Sequence, residues 1–253
     1  MRRVLRLLSK LFGLQVGAFW QLTSFPARFL KVRAAVRGRL QVRGRDVKVH
    51  LLDAVRITPF DRHYVYHIAW ALRVLTVSPG VREHVDISSS LHFAAGASAF
   101  MPTRFYDYRP ADLQLSDLAC GQADLLRLPF DSDSIASLSC MHVIEHIGLG
   151  RYGDPFDPMG DAKAINELKR VLAPGGQLLV VVPIGGQARI EFDAHRVYTH
   201  ELILSYFSEL ELIEFALIPE DARDGGLIRH ADPVLTRSQR YGCGCFHFRK
   251  VHQ

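Results

Sequence analysis

The chain has 253 residues, of which 48% are hydrophobic, and a formal net charge of +5. That is enough apolar material for one substantial core and too little for two full domains. Four cysteines (Cys120, Cys140, Cys243, Cys245) form no dense disulfide framework and point to a reducing compartment, and the absence of a run of about 18 to 20 apolar residues predicts no membrane span.

The charge is unevenly placed. Residues 1–50 hold twelve Lys and Arg against one acid, Asp46, so the rest of the chain is net acidic. The opening stretch "MRRVLRLLSKLFGLQVGAFWQL" mixes these cations with Leu, Phe and Trp at loosely helical spacing. Two readings are open: a cationic amphipathic helix on an anionic membrane surface, or a solvated basic helix packed on its own domain. Lys10 interrupts the apolar stretch and no small-x-small site follows, so a cleaved signal peptide is not expected. The aromatics suit an apolar face better than a stacking platform, so no nucleic-acid partner is expected. Residues 1–50 are taken as a basic extension and residues 51–253 as the folded domain. "VRGRLQVRGRDVKVH" is expected to be a short basic hairpin or loop.

"DRHYVYHIAW" places Tyr64, Tyr66, His67 and Trp70 in a helix-like aromatic cluster suited to a core or to a lid. From about residue 70 strand and helix patterns alternate. "EHVDIS" reads as a strand, "SLHFAAGASAF" as a helix, "TRFYDY" as a strand ending in an acid and "SIASLSCM" as a strand. "GDAKAINELKRVL" is an amphipathic helix with Ala164, Leu168 and either Val171 or Leu172 on one face. "APGG" stops it, since Pro and Gly cannot continue a helix. "QLLVVVPI" is a continuous apolar run of the kind a strand buried on both faces needs. "HELILSYFSEL" is a helix, and "LELIEFALI" and "YGCGCFHFRK" are closing strands. Such alternation implies a layered α/β sheet.

In open α/β sheets ligands bind beyond the carboxyl ends of the strands. Asp86 and three serines follow the first strand, Asp107 and Tyr108 the second, Asp124 and Leu125 a third region, and "CMHVIEHIG" the fourth. A carboxylate ending a second strand can accept both ribose hydroxyls of a nucleoside, and an acid with its neighbouring N–H, as at Asp124-Leu125, can read an adenine edge. Small residues after Asp86 let a ligand approach the backbone.

The run "QADLLRLPFDSDSIASLSCMHVIEHI" followed by "INELKRVLAPGGQLLVVVP" resembles the class I S-adenosylmethionine-dependent methyltransferases. "EHIGLGRYGDPFDPMGD" and "FDAHRVY" are similar, more narrowly, to a methyltransferase-like family of bacterial surface-polysaccharide loci. The resemblance spans roughly His84 to Lys250 and leaves out the basic extension. It implies a Rossmann-like three-layer sandwich around a mostly parallel, seven-stranded sheet, and S-adenosylmethionine as cofactor. The residues it implies for the cofactor are Asp86, Ser88, Ser90, Asp107, Tyr108, Asp124, Leu125 and His142. The family's first motif is an acid followed by Gly-x-Gly spacing; here Ile87-Ser88-Ser89-Ser90 follows Asp86. Serine resists positive φ where glycine does not, so a reshaped loop is expected, with hydroxyls that reach the cofactor's amino-acid end or with the pocket lost.

The proton-transfer candidates are His146 and His195 first, then His142, and the substrate-binding candidates are Asp154, Asp157 and Arg196. Structural alternatives stand beside them: Asp157-Pro158 and Asp161 also suit a helix start, His142 or His146 could cap a helix or anchor a loop, and Arg196 could lock its loop onto Asp193 or Glu191. His142, Glu145 and His146 also spell the H-x-x-E-H of zinc hydrolases. That site needs an established helix, and only a turn is available before Gly148 and Gly150. Cys243, Cys245 and His247 alternate on one strand face but lack paired C-x-x-C knuckles, so they read as core. No metal ligands are assigned. The leading expectation is O-methylation of a surface glycan, a glycolipid or a precursor by a cytoplasmic enzyme, with residues 1–50 holding it to the inner face of the plasma membrane. The alternative is an inactive methyltransferase-like scaffold that binds an assembly partner there.

Overall fold

The computed structural model describes residues 16–36, 40–50 and 57–251. The chain divides into two compact units, Met1–Phe60 and Asp61–Gln253. In the first, helix α1 covers Val16–Ala35 with Pro26 inside it, and Gly44–Asp46 forms a single 3₁₀ turn. In the basic "VRGR" region the described residues 40–50 hold this turn and no strand. The amphipathic opening, up to residue 15, lies outside the described residues. No described helix is long and apolar enough to cross a membrane.

The second unit is a seven-stranded sheet of order β3-β2-β1-β4-β5-β9-β8. Its strands are β1 His84–Asp86, β2 Thr103–Asp107, β3 Leu118–Gln122, β4 Ile135–Met141, β5 Leu172–Ile184, β8 Leu210–Ile218 and β9 Gly242–Lys250. Strands β1 to β5 pair in parallel, and β9 runs antiparallel to both β5 and β8. A separate hairpin joins β6 Arg189–Glu191 to β7 His195–Val197. The expected α/β sandwich and its seven strands are present. Strand β3 and the hairpin were not expected. "LACGQ" holds a glycine at an edge where no residue is fully buried, so it lacks the apolar alternation of a strand.

The layers follow from the period of two along the strands. On β5, Leu178, Val180 and Val182 enter one core with Ala164, Ile165, Leu168 and Val171 of α4 (Gly160–Val171), and with Ile203 of α5 (His200–Tyr206). Leu179 and Val181 enter the other core, with Trp70, Ala71 and Val74 of α2 (Arg62–Thr76) and with Phe93 and Ala97 of α3 (Leu91–Ser98). That is why "QLLVVVPI" is apolar at every position. The aromatic cluster splits: Trp70 is in the core, its Nε1 donating to Glu214 Oε1 at 3.2 Å, while Tyr64 is exposed. α4 ends at Val171 as "APGG" predicts, and that tetrapeptide opens the next strand, with Gly175 at φ 74°.

Candidate active site

The carboxyl ends of β1, β2 and β4 meet around a cavity of about 250 Å³. Its construction begins below the floor. Asp86 ends β1 fully buried, and its Oδ1 accepts from the hydroxyls of Ser88 and Ser139. Ser139 in turn contacts His84 Nε2, His84 Nδ1 contacts Ser137, and Gln177 donates to Ser137 at 2.9 Å. Burial alone pushes His84 down to about 3, so it is neutral. Burial also pushes Asp86 up to about 7, against the two serine hydrogen bonds, and its Oδ2 meets no protein partner.

The serine loop sits on this polar seam. Ser88 Oγ also accepts from the backbone N–H of Met141 at 3.0 Å, tying the turn to β4. Ser90 caps α3, its side chain accepting from Phe93 N. None of the three serines has positive φ. The strained left-handed residue is instead His142, at φ 56°, just past β4. The steric objection to serine therefore does not arise in this loop.

Six of the eight expected cofactor residues line the cavity: Ser88, Asp107, Tyr108, Asp124, Leu125 and His142. Asp86 and Ser90 do not; one is buried beneath the floor and the other is spent on the helix cap. Asp107 Oδ1 accepts from Arg109 N at 2.7 Å, and Asp124 Oδ1 accepts from Leu126 N at 2.9 Å, so each carboxylate is held by its own turn. Ile87, Ser89 and Val143 complete the wall, with Tyr152 and Gly148 from the loop beyond β4.

A second cavity of about 440 Å³ shares His142, His146 and Tyr152 with the first. It also receives His63 and Tyr64 from α2, Glu145, His195 and Tyr241. His146 Nδ1 lies 2.8 Å from Ala194 O. A carbonyl only accepts, so Nδ1 carries a proton, and in the neutral tautomer of this ring the lone pair is at Nε2. His195 Nε2 is buried, 3.6 Å from Glu191 Oε2, which is too long for a hydrogen bond, and has no other partner. Burial holds His195 below the usual histidine value despite the nearby Glu145 and Glu191. His142 differs: burial opposes its charge, but the hydrogen bonds to Cys243 and Glu145 outweigh that and raise it to about 10. It does not act as a proton acceptor at neutral pH.

The three substrate candidates serve the loop. Asp154 accepts from the N–H groups of Gly148, Gly150 and Tyr152, which hold it below the usual carboxylate value despite partial burial. Asp157 accepts from Met159 N and pairs with Lys163 at 2.7 Å, and both acids still border the first cavity. Arg196 borders neither cavity. It is 6% exposed, lies 3.3 Å from Asp161, and donates to the carbonyl of Ile147 at 2.7 Å. It locks its loop, as the structural alternative held, but onto Asp161 and not onto Asp193 or Glu191. A buried guanidinium needs such partners.

Sequence reasoning missed Ser89, His63, Tyr64 and Tyr241 as cavity residues. Two of them left a signal: Ser89 stood in the serine loop after Asp86, and Tyr64 in the aromatic cluster read as core or lid. Its ring stacks on His142 at 5.2 Å between centroids, and its hydroxyl lies 3.3 Å from Ser89 Oγ.

A family model described as "Caenorhabditis protein of unknown function, DUF268" matches residues 114–217. No curated protein sequence matches the chain. Solved structures do. The N-methyltransferase NodS from Bradyrhizobium japonicum, in complex with S-adenosyl-L-homocysteine, is 15% identical with a TM-score of 0.51, over 74% of this chain and 87% of that one. YcgJ from Bacillus subtilis is 15% identical with a TM-score of 0.51, over 75% of this chain and 100% of that one. The [4+2]-cyclase SpnF is 14% identical with a TM-score of 0.50, over 74% of this chain and 81% of that one. At these identities the likeness is one of fold, a Rossmann-like three-layer sandwich.

Proposed function

We propose that this chain binds S-adenosylmethionine in the cavity at the ends of β1, β2 and β4, and transfers its methyl group to an acceptor entering the adjoining cavity. The observation that carries this reading is the donor set: the Asp107 and Asp124 carboxylates and the Ser88 and Ser89 hydroxyls surround one partly apolar cavity at the sheet's switch point. Asp107 would take the ribose hydroxyls, Asp124 with Leu125 the adenine edge, and the serines the amino-acid end. The cofactor supplies an electrophilic methyl group on a sulfonium. Everything else falls to the chain's own residues. Asp86 and Ser139 fix Ser88 from below. Tyr152 borders both cavities, and Tyr64 borders the second. His146, with its tautomer set by Ala194, takes the proton of an acceptor hydroxyl at Nε2.

A glycan hydroxyl is the proposed acceptor. The support is the sequence resemblance to proteins of surface-polysaccharide loci, together with a second cavity lined by His, Tyr, Glu and Arg side chains. The basic residues of 1–50 would hold the enzyme near an anionic membrane surface carrying a lipid-linked acceptor.

The test is methyl transfer from labelled S-adenosylmethionine into a surface-glycan fraction. Label should enter the glycan, and His146→Gln should slow it by about 10²–10⁴-fold. Label entering another fraction would refute the glycan acceptor. Equal turnover by the wild type and an Asp107→Ala variant would refute the site.

A further inference from the structure

Three elements distant in sequence bring His63, His142 and Cys243 together: the first turn of α2, the loop after β4 and the start of β9. One ligand atom from each lies within 4.8 Å of the others. We propose that this cluster is a site for one zinc ion, bound by His63, by His142 Nε2 and by the Cys243 thiolate, the ion displacing the protons that His142 Nε2 and the Cys243 thiol carry in its absence.

The dimensions fit. Zinc at about 2.3 Å from sulfur and 2.0–2.1 Å from nitrogen in a tetrahedron places those two ligand atoms roughly 3.6 Å apart. Cys243 Sγ and His142 Nε2 are 3.7 Å apart. The donor set, two nitrogens and a soft sulfur, is what zinc takes in preference to magnesium or calcium. His142 is also oriented from behind. Its Nδ1 lies 3.0 Å from Glu145 Oε1, which turns Nε2 toward the cysteine. A carboxylate on the far nitrogen of a ligating histidine is the usual outer support of such sites. Glu145 is 1% exposed and its Oε2 meets no partner, a cost that a nearby cation would offset.

This site differs from the one that the H-x-x-E-H spelling suggests. His146 is not in the cluster; its Nδ1 is committed to Ala194. It also differs from the Cys243, Cys245 and His247 face, because the second and third ligands come from other elements. His63 and His142 border the 440 Å³ cavity, so the fourth coordination position faces that cavity and takes an oxygen or sulfur atom. That this atom belongs to the methyl acceptor is a further step, and it rests on the methyl-transfer reading.

The test uses the full chain, purified with zinc supplied and dialysed against metal-free buffer. Elemental analysis should find about one zinc per chain, and His63→Gln and Cys243→Ser should each lose it. The cobalt-substituted protein should show a thiolate-to-cobalt charge-transfer band that Cys243→Ser lacks. Glu145→Gln should weaken zinc binding by about 10–100-fold. If buried Cys243→Ser fails to fold, half-buried His63→Gln at the helix start carries the test. A wild type that holds no zinc, or variants that hold as much as the wild type, would overturn the site. S-adenosylhomocysteine binding, measured on the same samples, separates the two claims: zinc without cofactor binding would leave the metal site standing and refute methyl transfer.

Discussion

At the scale of single residues, the three acids at the strand ends do different work. Asp107 and Asp124 face the cavity, whereas Asp86 is buried beneath it and acts through Ser88. Asp107→Ala should therefore abolish cofactor binding, while Asp86→Asn, which keeps acceptors for both serines, should change the affinity by only a few fold. A calorimeter measures both, and equal losses would contradict the division of labour. Asp86 also makes a pH prediction. Its folded value is about 7, raised by burial, so the folded chain holds this proton more tightly than the unfolded one. The contribution to stability is full below the ordinary carboxylate value and is lost as pH rises through 7, on the order of 4 kcal/mol for a shift of about three units. Asp86→Asn should gain on the wild type between pH 5 and pH 8 in urea unfolding; a constant difference would mean that the carboxyl is not raised. Asp86 and Asp107 were legible in the sequence because each ends a strand, and Asp124 because it opens the run that resembles the methyltransferases. Their roles were not, because Asp86 is held in the buried seam by Ser139, which reaches it only where β4 lies beside β1.

At the scale of elements, the loop between β4 and α4 is a built object. Gly148 sits at φ 78°, and a Cβ there would meet the Asp157 carbonyl oxygen at 2.1 Å. Gly148→Ala should destabilise the protein by more than the roughly 1–2 kcal/mol of left-handed backbone alone, since backbone must also move. Thermal unfolding with an unchanged midpoint would contradict this. Arg196 and Asp161 pin the far end of the loop, with the Tyr198 hydroxyl donating to Asp161 at 3.1 Å. Removing one partner of a buried pair costs about 3–5 kcal/mol, so Arg196→Ala should lower the denaturation midpoint sharply, whereas a surface arginine would not. The sequence marked this loop by its Gly, Pro and Asp content, and it marked α4 and β5 by their periods. It concealed β3, a half-exposed edge strand, and the β6–β7 hairpin that carries His195 and Arg196. Short strands without alternation leave no pattern, and the partner of Arg196 lies 35 positions upstream.

At the scale of the whole molecule, the fold puts function at one edge. Parallel strands direct their carboxyl ends to the same side, so residues from β1, β2, β4 and the loops after them converge without any of them being near in sequence. The class of fold was legible because two apolar faces along β5 imply two covering layers. The pairing of cavities was not, since it needs α2 to bring His63 and Tyr64 over the end of β4. Fold alone does not fix chemistry, and among the similar structures a methyltransferase stands beside a cyclase. The central claim is that the serine loop still makes a cofactor pocket. A calorimetric titration of the purified chain with S-adenosylhomocysteine, wild type beside Asp107→Ala, tests it most directly. The account predicts saturable one-to-one binding by the wild type, lost in the variant, with a thermal stabilisation of about 2.7 kcal/mol at 100 times the dissociation constant. No heat and no stabilisation at millimolar ligand would contradict it, and "DISSS" would then be the turn of a scaffold.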